Sequence, residues 1–428
     1  MTTNHSTRPR IVIVGGGFGG LAAAQGLAQA PVEIVLVDRT NHHLFQPLLY
    51  QVATAALSPG DIAWPLRTAL RWQRNVRVVM DEVEAVDRTT HRVIVKGGPP
   101  IPFNRLILAS GSCPSYFGHD GWAAHAPGLK TLPDALALRE RLLRAFEQTD
   151  RRRWVAAAQP LTFVIVGGGP TGVELAGALA EIGRKAMAPD FPALRWDDVH
   201  ILLVEAGERI LPGFYPSLST KAAVALERMG VTVLLKTMVG DVRDSGVMVG
   251  DQFIESAHVI WAAGNRASPL TTCLACPLDA AGRALVQSDL SIPGDPWIFV
   301  IGDAAHCVDK DGQPLPGLAP VAMQQGRYVA SLIRRRQEPG QRRPFAYADR
   351  GQLATIGRAK AVAQLGPLRF SGLPAWLLWC LVHIFFLISV RNRFRVMSEW
   401  IWFYLTFKPG ARLIYGNEPG TEDKQCSP

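Results

Sequence analysis

The stretch Arg10–Gly20, RIVIVGGGFGG, decides the fold, because an apolar run passes directly into a cluster of glycines. The run Ile11–Val14 is typical of a short strand buried on both faces of a parallel sheet. Gly15, Gly17 and Gly20 then fit the pattern G-x-G-x-x-G, and a good helix-forming segment follows. In such a turn the first glycine allows the bend, the second lets a pyrophosphate approach the backbone, and the third packs the helix against the strand.

A second apolar strand, Val35–Val37, ends in Asp38, about 20 residues after the glycines. A carboxylate at this position can accept hydrogen bonds from the hydroxyls of a ribose. Because strand, turn, helix and acid follow in the right order, the pattern predicts a dinucleotide-binding unit rather than an ordinary glycine-rich turn.

The same pattern returns in the middle of the chain. The strand Leu161–Val166 (LTFVIV) leads into Gly167, Gly169 and Gly172, and a later strand ends in Glu205. The longer distance to this second acid indicates an inserted loop, Ala188–Asp198. Two dinucleotide sites suggest one tightly held redox cofactor and one exchangeable one, and FAD with NAD(P)H is the economical pairing.

Three apolar strands end in turns of small residues: Ile107–Gly111, Val259–Gly264 and Ile298–Asp303. The first two follow the first and second nucleotide units respectively, so each unit has the same further strand. The sequence therefore predicts an α/β fold with two Rossmann-like domains, the second inserted in the first, followed by a membrane-associating helical region. The domains expected are 1–158 with 278–345 for the first, discontinuous unit, 159–277 for the second unit, and 346–428 for the membrane region.

Positive charge is concentrated near the end of the chain. The 428 residues carry a formal net charge of +9, and residues 351–415 contain eight Lys or Arg and one acid. The same segment is rich in Trp and Phe and contains the apolar run Leu373–Val390, so it favours an anionic membrane surface over nucleic acid. This run is about as long as the shortest spanning helix. We interpret it as amphipathic helices lying in the interface, with a short span or a hydrophobic dimerisation element as alternatives.

The cysteines and histidines predict neither a disulfide framework nor a metal site. Six cysteines without a framework pattern suit a reducing compartment, and no signal peptide is evident, so the expected location is cytosolic. His42 and His43 lie in an apolar, loop-like stretch, Asn41–Thr54, and we interpret them as packing or solvated residues. Cys273 and Cys276 form a C-x-x-C in a predicted loop, for which we expect no redox role.

With these residues in place, the chain resembles the two-dinucleotide-fold flavoproteins and, within them, the type II, non-proton-pumping NADH:quinone oxidoreductases over nearly its whole length. The segments that carry the resemblance are IVIVGGGFGGL, NHHLFQPLLYQVAT, VIVGGGPTGVELAGAL, VEAG, FVIGDAA, LAPVAMQQGRYVA, IGRAKAV, VRNRF and YLTFKPGARLI. It implies FAD in the first unit, NADH in the second, and a membrane quinone as electron acceptor.

The resemblance also implies site residues. Those that bind cofactors would be Gly15, Gly17, Phe18, Gly19, Gly20, Asp38, Val83, Ala109, Gly111, Gly167, Gly169, Pro170, Thr171, Gly172, Glu205, Gly264, Gly302, Asp303 and Ala322. Catalytic roles fall to Glu174, Gln324 and Lys360, and quinone contacts to Pro320, Gln324 and Gln325. The family motif A-Q-x-A-x-Q has its first glutamine replaced here by Pro320, which leaves Gln324 as the polar contact.

Glu205 favours NADH over NADPH, because a carboxylate accepts from the 2′-hydroxyl and repels a 2′-phosphate, although Arg209 lies nearby in sequence. The resemblance further implies a homodimer held peripherally on the cytoplasmic face of the membrane, with no nucleic-acid partner and no metal. Two other functions share the fold: a sulfide:quinone oxidoreductase, which needs two redox cysteines facing the flavin, and a non-catalytic, apoptosis-factor-like FAD/NADH-binding sensor.

Overall fold

A computed structural model of the protein describes residues 8–155, 160–187, 190–191, 193–255, 257–406 and 411–414. Parts of the predicted insertion (188–189 and 192) and of the tail (407–410 and 415–428) lie outside the described residues. The chain divides into two compact units, each assembled from three segments. Unit 1 comprises Met1–Leu44, Ala63–Ser115 and Gly264–Arg350, and unit 2 comprises Phe45–Ile62, Tyr116–Ala263 and Gly351–Pro428.

The secondary structure alternates between strands and helices through both glycine motifs. The helices are α1 (Phe18–Gly26), α2 (Leu49–Ala53), α3 (Pro59–Ile62), α4 (Leu66–Ala69), α5 (Leu132–Val155), α6 (Pro170–Glu181), α7 (Pro216–Glu227), α8 (Ala319–Arg334), α9 (Leu373–Phe386) and α10 (Val390–Thr406). The strands are β1 (Arg10–Val14), β2 (Glu33–Asp38), β3 (His42–Leu44), β4 (Ala63–Pro65), β5 (Val76–Met80), β6 (Val83–Asp87), β7 (Arg92–Val95), β8 (Ile101–Pro102), β9 (Arg105–Leu108), β10 (Ser112–Pro114), β11 (Leu161–Val166), β12 (Val199–Val204), β13 (Val231–Leu234), β14 (Val239–Arg243), β15 (Gly246–Val249), β16 (Gln252–Glu255), β17 (His258–Trp261), β18 (Asn265–Ala267), β19 (Ala284–Leu285), β20 (Ser291–Ile292), β21 (Asp295–Val300), β22 (Ala305–His306), β23 (Gln352–Gly357), β24 (Lys360–Leu365) and β25 (Leu368–Ser371).

Unit 1 is built on a sheet with the strand order β20-β21-β9-β1-β2-β5. Strand β1 lies at its centre and runs parallel to both β2 and β9, so Val14 pairs with Val37 on one side and with Leu108 on the other. As predicted from its apolar run, β1 is buried on both faces. Helices α1 and α8 pack closely, because a Cβ on Gly26 would lie 2.7 Å from the Cβ of Ala330.

Unit 2 repeats this plan in a smaller parallel sheet with the order β13-β12-β11-β17. Its central strand β11 is buried along its whole length and pairs with β12 and β17. The predicted α/β fold with two Rossmann-like units is therefore confirmed, and the strands β9 and β17 that follow each unit occupy equivalent places beside β1 and β11.

The tail of the chain contains a sheet that the sequence analysis missed. Strands β23, β24 and β25 form an antiparallel meander before α9 and α10 begin. Its two longer strands do not alternate between buried and exposed residues, and the register shifts at Gly357, so the sequence shows little periodic signal. Strand β23 packs so closely on α6 that a Cβ on Gly177 would lie 1.7 Å from the carbonyl oxygen of Ile356.

Helix α10 binds a segment from near the start of the chain. Within unit 2, Asn392 donates to the Gly60 carbonyl oxygen at 3.2 Å, and the Trp400 indole donates to Gln51 Oε1 at 2.8 Å. Arg395 approaches the buried carboxylate of Asp61 at 3.3 Å. The residues between β3 and β4 therefore belong to the same unit as the tail.

Two local predictions were wrong. The stretch Asn41–Thr54 is not a loop, because it forms β3, a 3₁₀ turn and α2. The charge run Arg151–Arg153, which the sequence alone indicates to be a solvated connection, instead belongs to α5. Arg151 and Arg152 are exposed, whereas Arg153 pairs with Asp198 at 2.7 Å. Neither segment shows a helical or strand period in its apolar residues.

The apolar run of the tail is divided by the structure. Helix α9 covers only its first part, and α10 begins at Val390. Among the helices of the described residues, none has the length and apolar character that crossing a bilayer requires.

Candidate dinucleotide sites and a buried carboxylate

The first glycine turn has the geometry that its sequence predicts. Gly15 has φ +100°, and a Cβ there would lie 2.3 Å from the carbonyl oxygen of Ala109, so no other residue fits. A Cβ on Gly20 would lie 1.8 Å from the Gly15 oxygen, whereas one on Gly17 would meet nothing within 4 Å. Helix α1 begins directly after Gly17 without a side-chain cap, so Phe18 and Gly19 lie on its first turn. The turn is an open cradle with free N–H groups and the positive end of a helix dipole, which suits a pyrophosphate.

Asp38 lies beside this turn and also stabilises it through hydrogen bonds. Its Oδ2 accepts from the Gly16 N–H at 2.6 Å, and its Oδ1 accepts from both the N–H and the hydroxyl of Thr40 at 2.7 Å. An ionised carboxylate has about four acceptor positions, so roughly one remains for a ribose hydroxyl. The sequence predicted the ribose contact but not the support of the glycine turn.

His43 is a second support that sequence reasoning missed. Its imidazole is buried, its Nδ1 lies 2.9 Å from the Gly16 carbonyl oxygen, and its ring packs edge-on against Phe18. Burial lowers the pKa of His43, and a carbonyl oxygen can only accept, so the neutral ring carries its proton on Nδ1. The interpretation of His43 as a packing residue is confirmed, and its contact fixes the backbone of the cradle.

The second glycine turn has the same construction. Gly167 has φ +110°, and its Cβ would lie 2.7 Å from the backbone of Ala262, while a Cβ on Gly172 would lie 1.9 Å from the Gly167 oxygen. Gly169 again has nothing within 4 Å, and α6 starts after it without a side-chain cap. Pro170 therefore occupies the first helical position, with Thr171 next to it.

Glu205 performs for this turn what Asp38 does for the first. Its Oε2 accepts from the Gly168 N–H at 2.6 Å and its Oε1 from the Gly207 N–H at 2.7 Å. About two of its acceptor positions remain, enough for the hydroxyls of one ribose. Arg209, whose proximity in sequence left the preference for NADH open, donates to the Pro212 carbonyl oxygen at 2.9 Å.

The Gly302–Asp303 turn follows β21 at the same end of the unit 1 sheet as the first cradle, because β21 and β9 run parallel. Gly302 has φ +68°, and Asp303 Oδ2 accepts from the Ser112 hydroxyl at 2.7 Å. Gln325 is buried and accepts from the Gly302 N–H at 2.6 Å through its Oε1. Gln325 therefore holds this turn in shape.

The other predicted residues of unit 1 lie on the first turns of α8 or at strand ends. Pro320 and Ala322 occupy the beginning of α8, and Gln324 makes two hydrogen bonds of 3.0 Å to the backbone of Ala348. Val83 begins β6, and Gly111 has φ +70° after β9 with open space at its Cα.

Glu174 lies on α6 of unit 2, close to the start of that helix. Its side chain is buried and its Oε1 accepts from the Thr355 N–H of β23 at 3.3 Å. Burial raises the pKa of Glu174 to about 8, against which the Thr355 N–H and the Trp379 indole act. The carboxyl is therefore mostly protonated at neutral pH.

Glu174 lines a small cavity of about 40 Å³, which Tyr50, Gln51 and Tyr404 also line. The Trp400 indole donates to Gln51, and Gln51 donates to the Tyr50 hydroxyl at 2.9 Å. Burial raises the pKa of both tyrosines, so their hydroxyls stay protonated. The cavity is therefore lined by several neutral groups that can donate or accept a hydrogen bond.

Lys360 is not among the residues that line that cavity. Lys360 begins β24 and lines a different groove of unit 2, and Gly264, with φ +70°, follows β17 and begins the last segment of unit 1. Within unit 2 the structure therefore brings Glu174 together with α10 and β23 but does not bring it to Lys360.

The C-x-x-C does not have the surroundings of a redox pair. Cys273 lies in a 3₁₀ turn, Pro269–Leu274, and its thiol donates to the Glu84 carbonyl oxygen. Burial raises the pKa of Cys276, which disfavours the reactive thiolate. This argues against the sulfide:quinone oxidoreductase reading.

Comparison with known proteins agrees with this geometry. Residues 9–326 match the model of the pyridine nucleotide-disulphide oxidoreductases, and residues 350–407 match the NDH2 C-terminal domain. The chain is 42% identical to the type II NADH:quinone oxidoreductase Ndh of Mycobacterium tuberculosis, covering 96% of this chain and 92% of that protein. The second M. tuberculosis enzyme, NdhA, is also 42% identical, over 92% and 86% of the two chains.

Solved structures show the same fold. NDH2 from Plasmodium falciparum superimposes with a TM-score of 0.84 at 19% identity, over 96% of this chain and all of that one. The sulfide:quinone oxidoreductase of Aquifex aeolicus gives 0.73 at 17% identity, over 90% and 92%.

The two glycine cradles and the first of these matches define a pyridine nucleotide-disulphide oxidoreductase with two dinucleotide units. Within that class, two observations identify a narrower family: the match to the NDH2 C-terminal domain, and the 42% identity to the two M. tuberculosis enzymes over nearly the full length. The chain belongs to the type II NADH:quinone oxidoreductases.

Proposed function

We propose that this protein oxidises NADH and reduces a membrane quinone through a resident FAD, without pumping protons. The observation that carries the proposal is the duplicated cradle: in each unit a glycine turn, an uncapped helix start and a carboxylate bound to the turn. One cradle is needed for a resident dinucleotide and the other for an exchangeable one.

FAD fits the cradle of unit 1. Gly17 and the start of α1 would hold its pyrophosphate, Asp38 a ribose hydroxyl, and Asp303 the ribityl side. When bound, FAD supplies the chemistry of accepting a hydride from a nicotinamide and passing electrons to a quinone. Residues Asp38 and His43 keep the cradle in shape before the cofactor arrives, which lowers the cost of ordering on binding.

NADH fits the cradle of unit 2, where Glu205 has acceptor positions left for the ribose. The same carboxylate would face the 2′-phosphate of NADPH at close range, and like charges there disfavour binding. We therefore infer a preference for NADH.

Proton supply is the role we propose for Glu174. Quinone reduction by NADH consumes one proton from solution in addition to the hydride, and a buried carboxyl with a pKa of about 8 holds a proton at neutral pH. Gln324, at the start of α8, is the polar side chain we propose for the quinone, with Pro320 contributing only an apolar contact. Lys360 has no assigned step.

We also propose peripheral membrane binding through the tail. Helix α10 buries Asn392, Val396 and Trp400 along one edge and exposes Phe394 and Ile401 along the other. Apolar side chains on the outside of a basic segment suit the interface of an anionic bilayer. The cytoplasmic face and a homodimer are parts of the same proposal.

An anaerobic titration tests the reaction. NADH added to the purified full chain is expected to bleach the flavin absorbance, and a short-chain quinone is expected to restore it without oxygen. A flavin that NADH fails to bleach would refute the proposal, whereas bleaching without recovery would refute only the quinone step.

Bleaching by sulfide but not by NADH would favour the alternative enzyme.

A further inference from the structure

A groove in unit 2, separate from the Glu174 cavity, has a mostly apolar lining with three positive side chains. It lies along α7 and the tail sheet, has a volume of about 380 Å³ and is open to solvent. Lys221 contributes from α7, Arg228 from the position directly after that helix, and Lys360 from β24. No carboxylate lies among the residues that line the groove. These cations come from segments far apart in sequence, so the pattern was invisible in the sequence.

The start of α9 closes one end of this groove. The ammonium of Lys221 donates to the Ser371 hydroxyl at 3.1 Å, and Gly372, which lines the groove, precedes α9 without a side-chain cap. The partial positive charge of a helix start thus adds to three side-chain cations. The combined chemistry suits a phosphate group.

An exposed apolar stripe begins beside the groove. Leu373, Leu377 and Leu381 follow one another at four-residue spacing along α9 and are 52%, 55% and 67% exposed. Positions four residues apart share one face of a helix, so these side chains form a continuous strip that starts next to Gly372. A phosphate in the groove would therefore sit at one end of an apolar surface.

We propose that this groove binds the phosphate of an anionic phospholipid, whose acyl chains lie beside the leucine strip of α9. The inference rests on the membrane association proposed above and adds a defined headgroup site to it. A free phosphate carries the same charge but makes no contact with the leucine strip. The strip therefore favours a phospholipid over free phosphate as the molecule that supplies the phosphate group. The site also employs α7, which belongs to the second nucleotide unit rather than to the tail.

Titration calorimetry on the purified full chain tests the site. The probes are dihexanoyl phosphatidylglycerol below its micelle concentration, the phosphatidylcholine of the same chain length, and inorganic phosphate. We expect saturable one-to-one binding of phosphatidylglycerol and much weaker binding of the other two. In the double variant Lys221→Gln, Arg228→Gln this binding should weaken about thirtyfold, given the usual contribution of a cation near an anionic lipid.

The matched control removes the same charge elsewhere. Arg74→Gln with Arg77→Gln, two exposed arginines of unit 1, should leave phosphatidylglycerol binding within about twofold of the parent. Thermal unfolding midpoints check that both double variants fold.

Three results would overturn the proposal: no saturable phosphatidylglycerol binding, equal weakening in the control variant, or equally tight binding of inorganic phosphate or phosphatidylcholine. The anaerobic NADH titration on the parent protein separates this outcome from the proposed function, since either can fail while the other stands.

Discussion

Replacing Glu174 by glutamine should change how the stability of the protein depends on pH. The pKa of Glu174 is raised from 4.5 to about 8 in the folded chain, so between these values the unfolded state binds fewer protons than the folded state. The free energy of unfolding therefore falls as pH rises through this window. At 1.36 kcal/mol per pKa unit, the loss is about 3 kcal/mol at pH 7 and about 4 kcal/mol at pH 8.

Glutamine cannot ionise, and its side-chain oxygen can still accept from the Thr355 N–H. Glu174→Gln should therefore lack this loss and gain stability relative to the parent as pH rises. Between pH 5 and pH 8 the difference in melting midpoint should grow by roughly 4–7 °C, taking about 1–2 °C per kcal/mol for a chain of this length. Differential scanning calorimetry of both proteins across this range measures it. A difference that stays flat with pH would refute the inference that the buried carboxyl is neutral.

Three further predictions follow from the site. Gly177→Ala places a Cβ 1.7 Å from the Ile356 carbonyl oxygen, so unfolding measurements should show a loss of about 1–3 kcal/mol or more. Glu205→Gln removes the charge that faces a 2′-phosphate, so the ratio of kcat/KM for NADPH to that for NADH should rise about tenfold or more, measured by steady-state kinetics. Cys273→Ser with Cys276→Ser should leave NADH oxidation rates unchanged, because the turn that carries these thiols has no redox surroundings.

Each of these has a control. Gly121→Ala, at a position with nothing within 4 Å of the added carbon, should cost little, and an equal loss there would show that the loss in Gly177→Ala does not come from the clash. Unchanged nucleotide preference in Glu205→Gln would show that another residue sets it. A large fall in NADH oxidation in the cysteine variant would show that these thiols take part in the reaction.

Much of the fold could be predicted from the sequence because its deciding features are local. Gly15 and Gly167 need positive φ angles and tight approaches that only glycine allows, so the residue type itself carries the information. The buried strands before them are uniformly apolar for the same reason, as both faces of a parallel sheet are covered. Features that depend only on neighbouring residues in this way can be predicted without a structure.

The supports of the site could not be predicted in the same way. His43 binds the Gly16 carbonyl oxygen and Gln325 binds the Gly302 N–H across sequence separations that no pattern marks. The tail sheet was missed because β23 and β24 bury runs of three consecutive residues rather than alternate ones, so they show no period of two. The raised pKa of Glu174 also depends on its burial beside β23, and this tertiary contact cannot be seen in the sequence.

The hydrogen bonds from α10 to the segment before β4 have a consequence for folding during synthesis on the ribosome. Trp400 meets Gln51 across 349 residues, and Asn392 meets Gly60 across 332. At about 5–20 residues per second, a ribosome needs roughly 20–70 s to make the chain between such partners. During that time the early segment emerges without the helix that later covers it, so the second compact unit reaches its final packing only after the tail has left the ribosome.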